Sequence, residues 1–173
     1  MEKYEKRYFK NLYKFYENNL SNFKTVMKDT NKNLVAAYTE DYNCMSYALG
    51  FYDTWGYLMS FDKSCDDLLY GDIDEDLMAD IFYDCCIELE ERFSLRRVEG
   101  PDAVLGKNER LIAFRIGAND FHFARRNSDG VWTHKPGSNY IREMSEDELF
   151  DDAWSKHRYC PYISEIAFFI ISM

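Results

Sequence analysis

The sequence has only 3 histidines, 3 prolines and 8 glycines among 173 residues. So little proline and glycine excludes collagen-like and low-complexity chains. No apolar run approaches the ~18–20 residues that cross a bilayer as a helix. The longest, Ile166 to Ile171, is the length of a strand. The opening stretch MEKYEKRYFKNLYKFYENN is charged throughout and lacks the apolar centre of a signal peptide, so a cytoplasmic location is expected. Basic residues are in deficit too: 21 Lys and Arg stand against 31 Asp and Glu, a net charge of −10. A broad grip on nucleic-acid phosphates needs clustered cations, so neither direct nucleic-acid binding nor membrane binding is expected. The five cysteines, Cys44, Cys65, Cys85, Cys86 and Cys160, are odd in number, form no CxxC pair and make no zinc-spaced cluster with histidine. Cys85 and Cys86 are neighbours in a helical pattern and cannot bridge to each other. Free thiols in a reducing compartment are the reading, with no metal and no other cofactor.

What is abundant is aromatic surface: 14 Tyr, 13 Phe and 3 Trp exclude a disordered coil. The length fits one domain, read as an N-terminal helical extension over 1–35 and a core over 36–173. In the extension, Phe9, Leu12, Tyr13, Tyr16 and Leu20 recur at helical intervals. A short helix is predicted from Cys44 to Leu49, with Gly50 as its C-cap. Residues 72–93 form the clearest helix, its acidic start suiting the positive end of the helix dipole. The DIDED run there imitates a calcium loop, but Leu77 occupies the glycine position and Tyr83 replaces the bidentate acid. Strands are expected at 111–116, 120–126 and 131–134, the last two joined by the turn Asn127-Ser128-Asp129-Gly130. Ser145 and Glu148 form a capping box that opens a helix to about Lys156, and a buried strand spans Ile163 to Ile171. Helices first, then a mainly antiparallel sheet, is an α+β pattern.

Three residues carry candidate chemistry. Cys44 opens a helix, where orphan N–H groups and the dipole would lower its pKa, making it the fastest of the five thiols to alkylate. His122 lies near the start of a strand, and His134 follows 12 residues later. A turn centred on Ser128 would set the two imidazoles opposite each other on one face. A base oriented by a third polar group beside a nucleophile is the logic of a catalytic triad. Cys44 would attack a carbonyl, His122 would take and return the proton, and His134 would fix the tautomer of His122. Candidate oxyanion donors are the Cys44 backbone N–H and the nearby Tyr42, Asn43 and Tyr38. His157 has no such partner in sequence. Arg125 and Arg126 could meet a substrate anion, with at least one facing solvent. Trp55 and Trp132 read as core anchors, Asp120 as a turn residue first and as a group that could orient a histidine second, and Lys135-Pro136-Gly137 as a loop at the mouth of a cleft.

The motifs NCMSYALG and DFHFARRNSDGVWTHKPG together resemble the papain-like cysteine peptidases of the NlpC type. The resemblance spans roughly residues 38–171. It implies a helical layer on an antiparallel sheet, with Cys44, His122 and His134 as triad and a peptide or protein substrate cleaved at an amide, peptide or isopeptide bond. Asn43-Cys44-Met45-Ser46 replaces the usual Asp-Cys-Ser-Gly and sets the chain apart from cell-wall enzymes. The competing reading is a non-enzymatic acidic protein on a hydrolase-like scaffold, binding a basic protein partner. Zinc held by Cys44, His122 and His134 is weaker, because neither a carboxylate nor a close ligand pair accompanies them.

Overall fold

The computed structural model describes residues 14–21, 23–30, 42–52, 54–62, 74–118, 120–137, 139–151, 154 and 162–172. Tyr38, Cys65, His157, Cys160 and the aromatic stripe at Phe9, Leu12 and Tyr13 lie outside the described residues. Residues 14–19 are helical. Then follow α1 (Phe23–Asp29), α2 (Cys44–Leu49), α3 (Met59–Asp62) and α4 (Glu75–Phe93). The sheet comprises β1 (Arg96–Val98), β2 (Glu109–Ile116), β3 (Phe121–Arg126), β4 (Trp132–His134), β5 (Arg142–Met144) and β6 (Ala167–Ser172), with α5 (Glu146–Phe150) between the last two. Its spatial order is β1-β6-β2-β3-β4-β5, with every neighbouring pair antiparallel. The architecture is α+β. Among the described residues no helix is long and apolar enough to cross a membrane.

The central strands are buried on both faces, which explains why LIAFRI in β2 reads as a run rather than an alternation. On one face Ile112, Phe114, Ile116, Phe123 and Phe169 pack against α2, α3 and the Met78-Ile81-Phe82-Cys85-Leu89 stripe of α4. Phe114 is the hub, stacked on Phe82 at 5.8 Å and tilted on Phe123 at 4.7 Å. On the other face Leu111, Ala113, Ala124, Trp132, Phe168 and Ile170 meet Leu149, Trp154 and Tyr162. Tyr16, Leu20 and Val26 of the N-terminal segment join Tyr42, Tyr47 and Ile141 in a third cluster. Each large apolar side chain so buried contributes roughly 1.5–3 kcal/mol.

Several boundaries differ from the sequence reading. The Ser145–Glu148 capping box forms, yet α5 stops at Phe150 rather than running to Lys156. Asp74 caps α4, which therefore starts later than Asp72. The last strand begins at Ala167, because Tyr162 instead bridges to Gly117 and Ser164 caps the end of β2 through Ile116 N.

Glu88 links two helices. Its buried carboxylate accepts from the N–H groups of Met59 and Ser60 at the start of α3, at 3.1 and 2.9 Å, and from Arg92 at 2.6 Å. Burial opposes its ionisation, but the two N–H groups and the guanidinium outweigh burial and hold the carboxyl below its usual range. A depressed carboxyl stabilises the fold above its unfolded pKa of ~4.3, and that contribution is lost as pH falls through the folded value. Glu88→Gln should therefore lower stability by about 1–3 kcal/mol near neutrality. Urea unfolding should show the variant and the parent converging in acid, at about pH 3; a gap that stayed constant with pH would contradict this account.

Candidate functional site

The site begins with a strand pair that comes apart. The β3–β4 turn is a three-residue loop, Ser128 to Gly130, closed by Asn127 N–H to Val131 O at 2.9 Å, with Gly130 in the left-handed region at φ 88°. It is centred one residue later than the sequence spacing implies. Ala124, not His122, therefore stands opposite His134. The register differs by two, so the imidazoles keep the same face and meet diagonally. His122 Nε2 lies 2.8 Å from His134 Nδ1, and both residues are buried.

Regular β3–β4 pairing ends at His134. In an antiparallel ladder alternate residues turn their backbone groups to the same neighbour. Asn127 turns toward β4, and so do Phe123 and Phe121, where the chain has left along Lys135 and Pro136. The Cys44 thiol occupies that edge. It donates to Phe121 O at 3.6 Å and accepts from the Phe123 N–H. The sulfur thus lies alongside the backbone of His122, held by the residues on either side of it. The two side chains are not hydrogen-bonded to each other: the His122 ring turns to His134, stacks on Tyr162 at 5.4 Å and meets Trp154 edge-on at 5.9 Å.

Local sequence explains why Cys44 is delivered there. Asn43 caps α2, accepting from Ser46 N–H at 3.2 Å. The same amide accepts from Gly56 N–H and donates to Gly56 O, so it crosslinks the helix start to the loop before α3. Gly50, at φ 86°, ends the helix as the sequence predicts. Asn43 is therefore a structural cap, its oxygen and its amide nitrogen already committed, rather than an oxyanion donor. Tyr42 is fully buried, with its carbonyl accepting from Lys135. Tyr38 is outside the described residues.

Electrostatics overturn the expected thiolate. Burial pushes the Cys44 thiol up to about 12 and Asp120 adds to the rise, while the Phe123 and Met45 N–H groups and Lys135 pull it down. The helix-start N–H is present, but desolvation wins. Cys86 is raised to about 12 and Cys85 is raised as well, again chiefly by burial, so the thiol of Cys44 is not set apart from theirs by ionisation. His122 is held well below its usual value by burial and by His134, and it rests as a neutral imidazole.

Other assignments shift as well. Arg125 is wholly buried, stacked on Tyr47 at 3.9 Å and donating to Tyr47 O and Tyr52 Oη. Arg126 donates to Pro101 O. Trp132 is a core anchor, but Trp55 is 55% exposed, beside Phe51, Tyr57 and Met59, which are exposed as well. Asp120 does more than end a turn: it accepts from Phe121 N–H and from Tyr162 Oη at 2.8 Å, and so fixes the ring that stacks on His122. The sequence carries no signal for Tyr162 or Trp154 at the site, and it places Lys135 only in a loop at the cleft mouth. The HKPG run was the available signal for Lys135, since a residue next to His134 in a strand must face the other way.

The chain has no significant match among protein-family models, curated proteins or solved structures.

The Asn43–Gly56 crosslink leaves no room for a side chain at Gly56: a Cβ there would stand 2.6 Å from Met45 Cβ and 2.8 Å from Asn43 Oδ1. Gly56→Ala should lower stability by about 1–3 kcal/mol. Gly100→Ala, where a Cβ meets nothing within 4 Å, should stay within about 0.5 kcal/mol. Equal denaturation midpoints for the two variants would contradict the crosslink.

Proposed function

We propose that the protein is a cysteine hydrolase with a papain-like, NlpC-type arrangement, acting on an amide, peptide or isopeptide bond. The observation that carries this reading is the placement of the Cys44 sulfur between Phe121 O and the Phe123 N–H, alongside the backbone of His122, whose ring is bonded to His134. A nucleophile, a base and a base-orienting group then come from three separate elements, in the order the resemblance implies.

In the tautomer where His122 Nε2–H donates to His134 Nδ1, His122 Nδ1 is an acceptor. With both groups neutral at rest, the thiol proton passes to His122 as sulfur bonds to the carbonyl carbon. The tetrahedral oxyanion is met by the first-turn N–H of Cys44, one of the donors a helix start leaves without an intrahelical acceptor. The C–N bond breaks, His122 gives its proton to the leaving amine, and water releases the acyl group from sulfur. Resolution by an amine instead of water would make the same site a transferase. Tyr162 and Trp154 keep the imidazole from rotating away. The exposed Phe51, Trp55 and Tyr57 lie on the segment that Asn43 anchors, which suits an apolar or aromatic substrate side chain.

The second reading, a non-catalytic acidic protein that engages a basic partner, draws its support from the 4% exposure of Cys44 and its raised thiol. A panel of peptide, isopeptide and peptidoglycan-fragment substrates separates the two. The hydrolase reading expects turnover of at least one, an acyl adduct on Cys44 by mass spectrometry, none of either in Cys44→Ala, and a fall of about 10²–10⁴-fold in His122→Ala. Turnover that survives in Cys44→Ala would sink it, as would a panel that yields neither product nor adduct.

A further inference from the structure

Lys135 is a lysine placed where lysines seldom sit. It is 2% exposed, on the strand edge that the thiol shares. Its ammonium donates to Tyr42 O at 2.9 Å and to Gly137 O at 2.6 Å, and it lies 4.6 Å from the centre of the Tyr42 ring. Tyr42 is two residues before Cys44, and Gly137 is two residues after Lys135, at φ 51°. One cation therefore joins the chain entering α2 to the chain leaving β4, across the gap in which the sulfur stands. A flexible loop at a cleft mouth does not need a buried charge; a neutral leucine or methionine would pack there without desolvating an ammonium.

We propose that Lys135 is the positioning residue of this site: it pins the strand edge around Cys44 and supplies the positive charge that favours the thiolate. The proposal rests on Cys44 as the reactive thiol. The charged groups that act on that sulfur come from two segments, Asp120 before β3 and Lys135 after β4; His122 lies on the strand between them with its ring turned to His134. Asp120 opposes the thiolate and His122 is neutral, which leaves Lys135 as the cation among them. Burial brings the amine itself down to about 8. Lys135 is thus charged near neutrality and loses its charge as pH rises through that value, so its help to the thiolate fades there. An arginine at the position would keep its charge throughout.

The test is the rate of iodoacetamide alkylation at Cys44 from pH 6 to 10, read by peptide mass spectrometry, with Cys85 and Cys86 as internal references for folding. It needs no substrate, so its outcome is independent of whether turnover is found. Lys135→Gln keeps two N–H donors for the two carbonyls and removes only the charge. It should slow Cys44 by at least about tenfold at pH 7 and meet the parent at high pH. The parent's log-rate profile should bend to a shallower slope above about pH 8, where the amine loses its proton, and Lys135→Arg should remove that bend. Equal rates for the parent and Lys135→Gln near neutrality would overturn the proposal. So would equal slowing in the Gln and Arg variants, which is the signature of packing alone. Should Lys135→Gln expose Cys85 and Cys86, the bend in the parent and its loss in Lys135→Arg still decide the matter, and its absence from the parent refutes the proposal.

Discussion

Where β4 leaves β3, the Phe121 carbonyl and the Phe123 N–H still point toward a neighbour that has gone. A buried backbone group without a partner costs about 1–3 kcal/mol, so something must replace the missing strand. The Cys44 thiol is well suited, because S–H donates to the carbonyl while the sulfur accepts from the N–H. The rest of the site follows from this substitution. The thiol must arrive at the end of a helix, so Asn43 caps α2 and fastens it to Gly56. It must arrive beside His122, because the carbonyl and N–H it serves belong to the residues flanking that histidine. The same interactions that place the sulfur also desolvate it, which is why position and ionisation pull in opposite directions here.

That opposition shapes the whole cluster. Cys44, His122 and Lys135 are all buried, and burial pushes each toward its neutral form. A low dielectric raises the energy of an isolated charge but strengthens attraction between a pair. In such a place a thiolate is best formed in concert with its counter-charge. The neutral resting state is therefore the one that burial favours, and any ion pair here would have to form as a pair.

Much of the frame was legible in the residues. The Cys44–Leu49 helix, its Gly50 cap, the long acidic-start helix and the β3–β4 hairpin each carried a local signal of period or turn chemistry. The strands that escaped notice are β1 and β5, three residues each and the two edges of the sheet. Edges favour short, charged segments, so Arg96-Arg97 and Arg142-Glu143 hide the very pattern that reveals an inner strand. The hairpin register slipped by two because Asn127 belongs to the ladder, leaving a three-residue loop where the sequence suggested four turn residues. For the site, the pairing of His122 with His134 was readable because it depends on one hairpin. The burial of Cys44, the exposure of Trp55 and the roles of Lys135 and Tyr162 were not, since each depends on segments distant in sequence.

The Asp29 carboxylate at the end of α1 accepts from both Ser128 N–H and Ser128 Oγ, at 2.9 and 3.1 Å, and so grips the tip of the β3–β4 turn. Lys135 ties the open end of the same hairpin to Tyr42. A ribbon clamped at both ends behaves as a stiff beam. The loop of Thr54 to Tyr57 is tied to the start of α2 in the same way, by Asn43 to Gly56 and by Ser46 Oγ to Thr54 O. The hairpin that carries the histidines and the loop that carries Trp55 and Tyr57 are thus each fastened to α2 or its entry, so the start of one short helix is the common anchor of both.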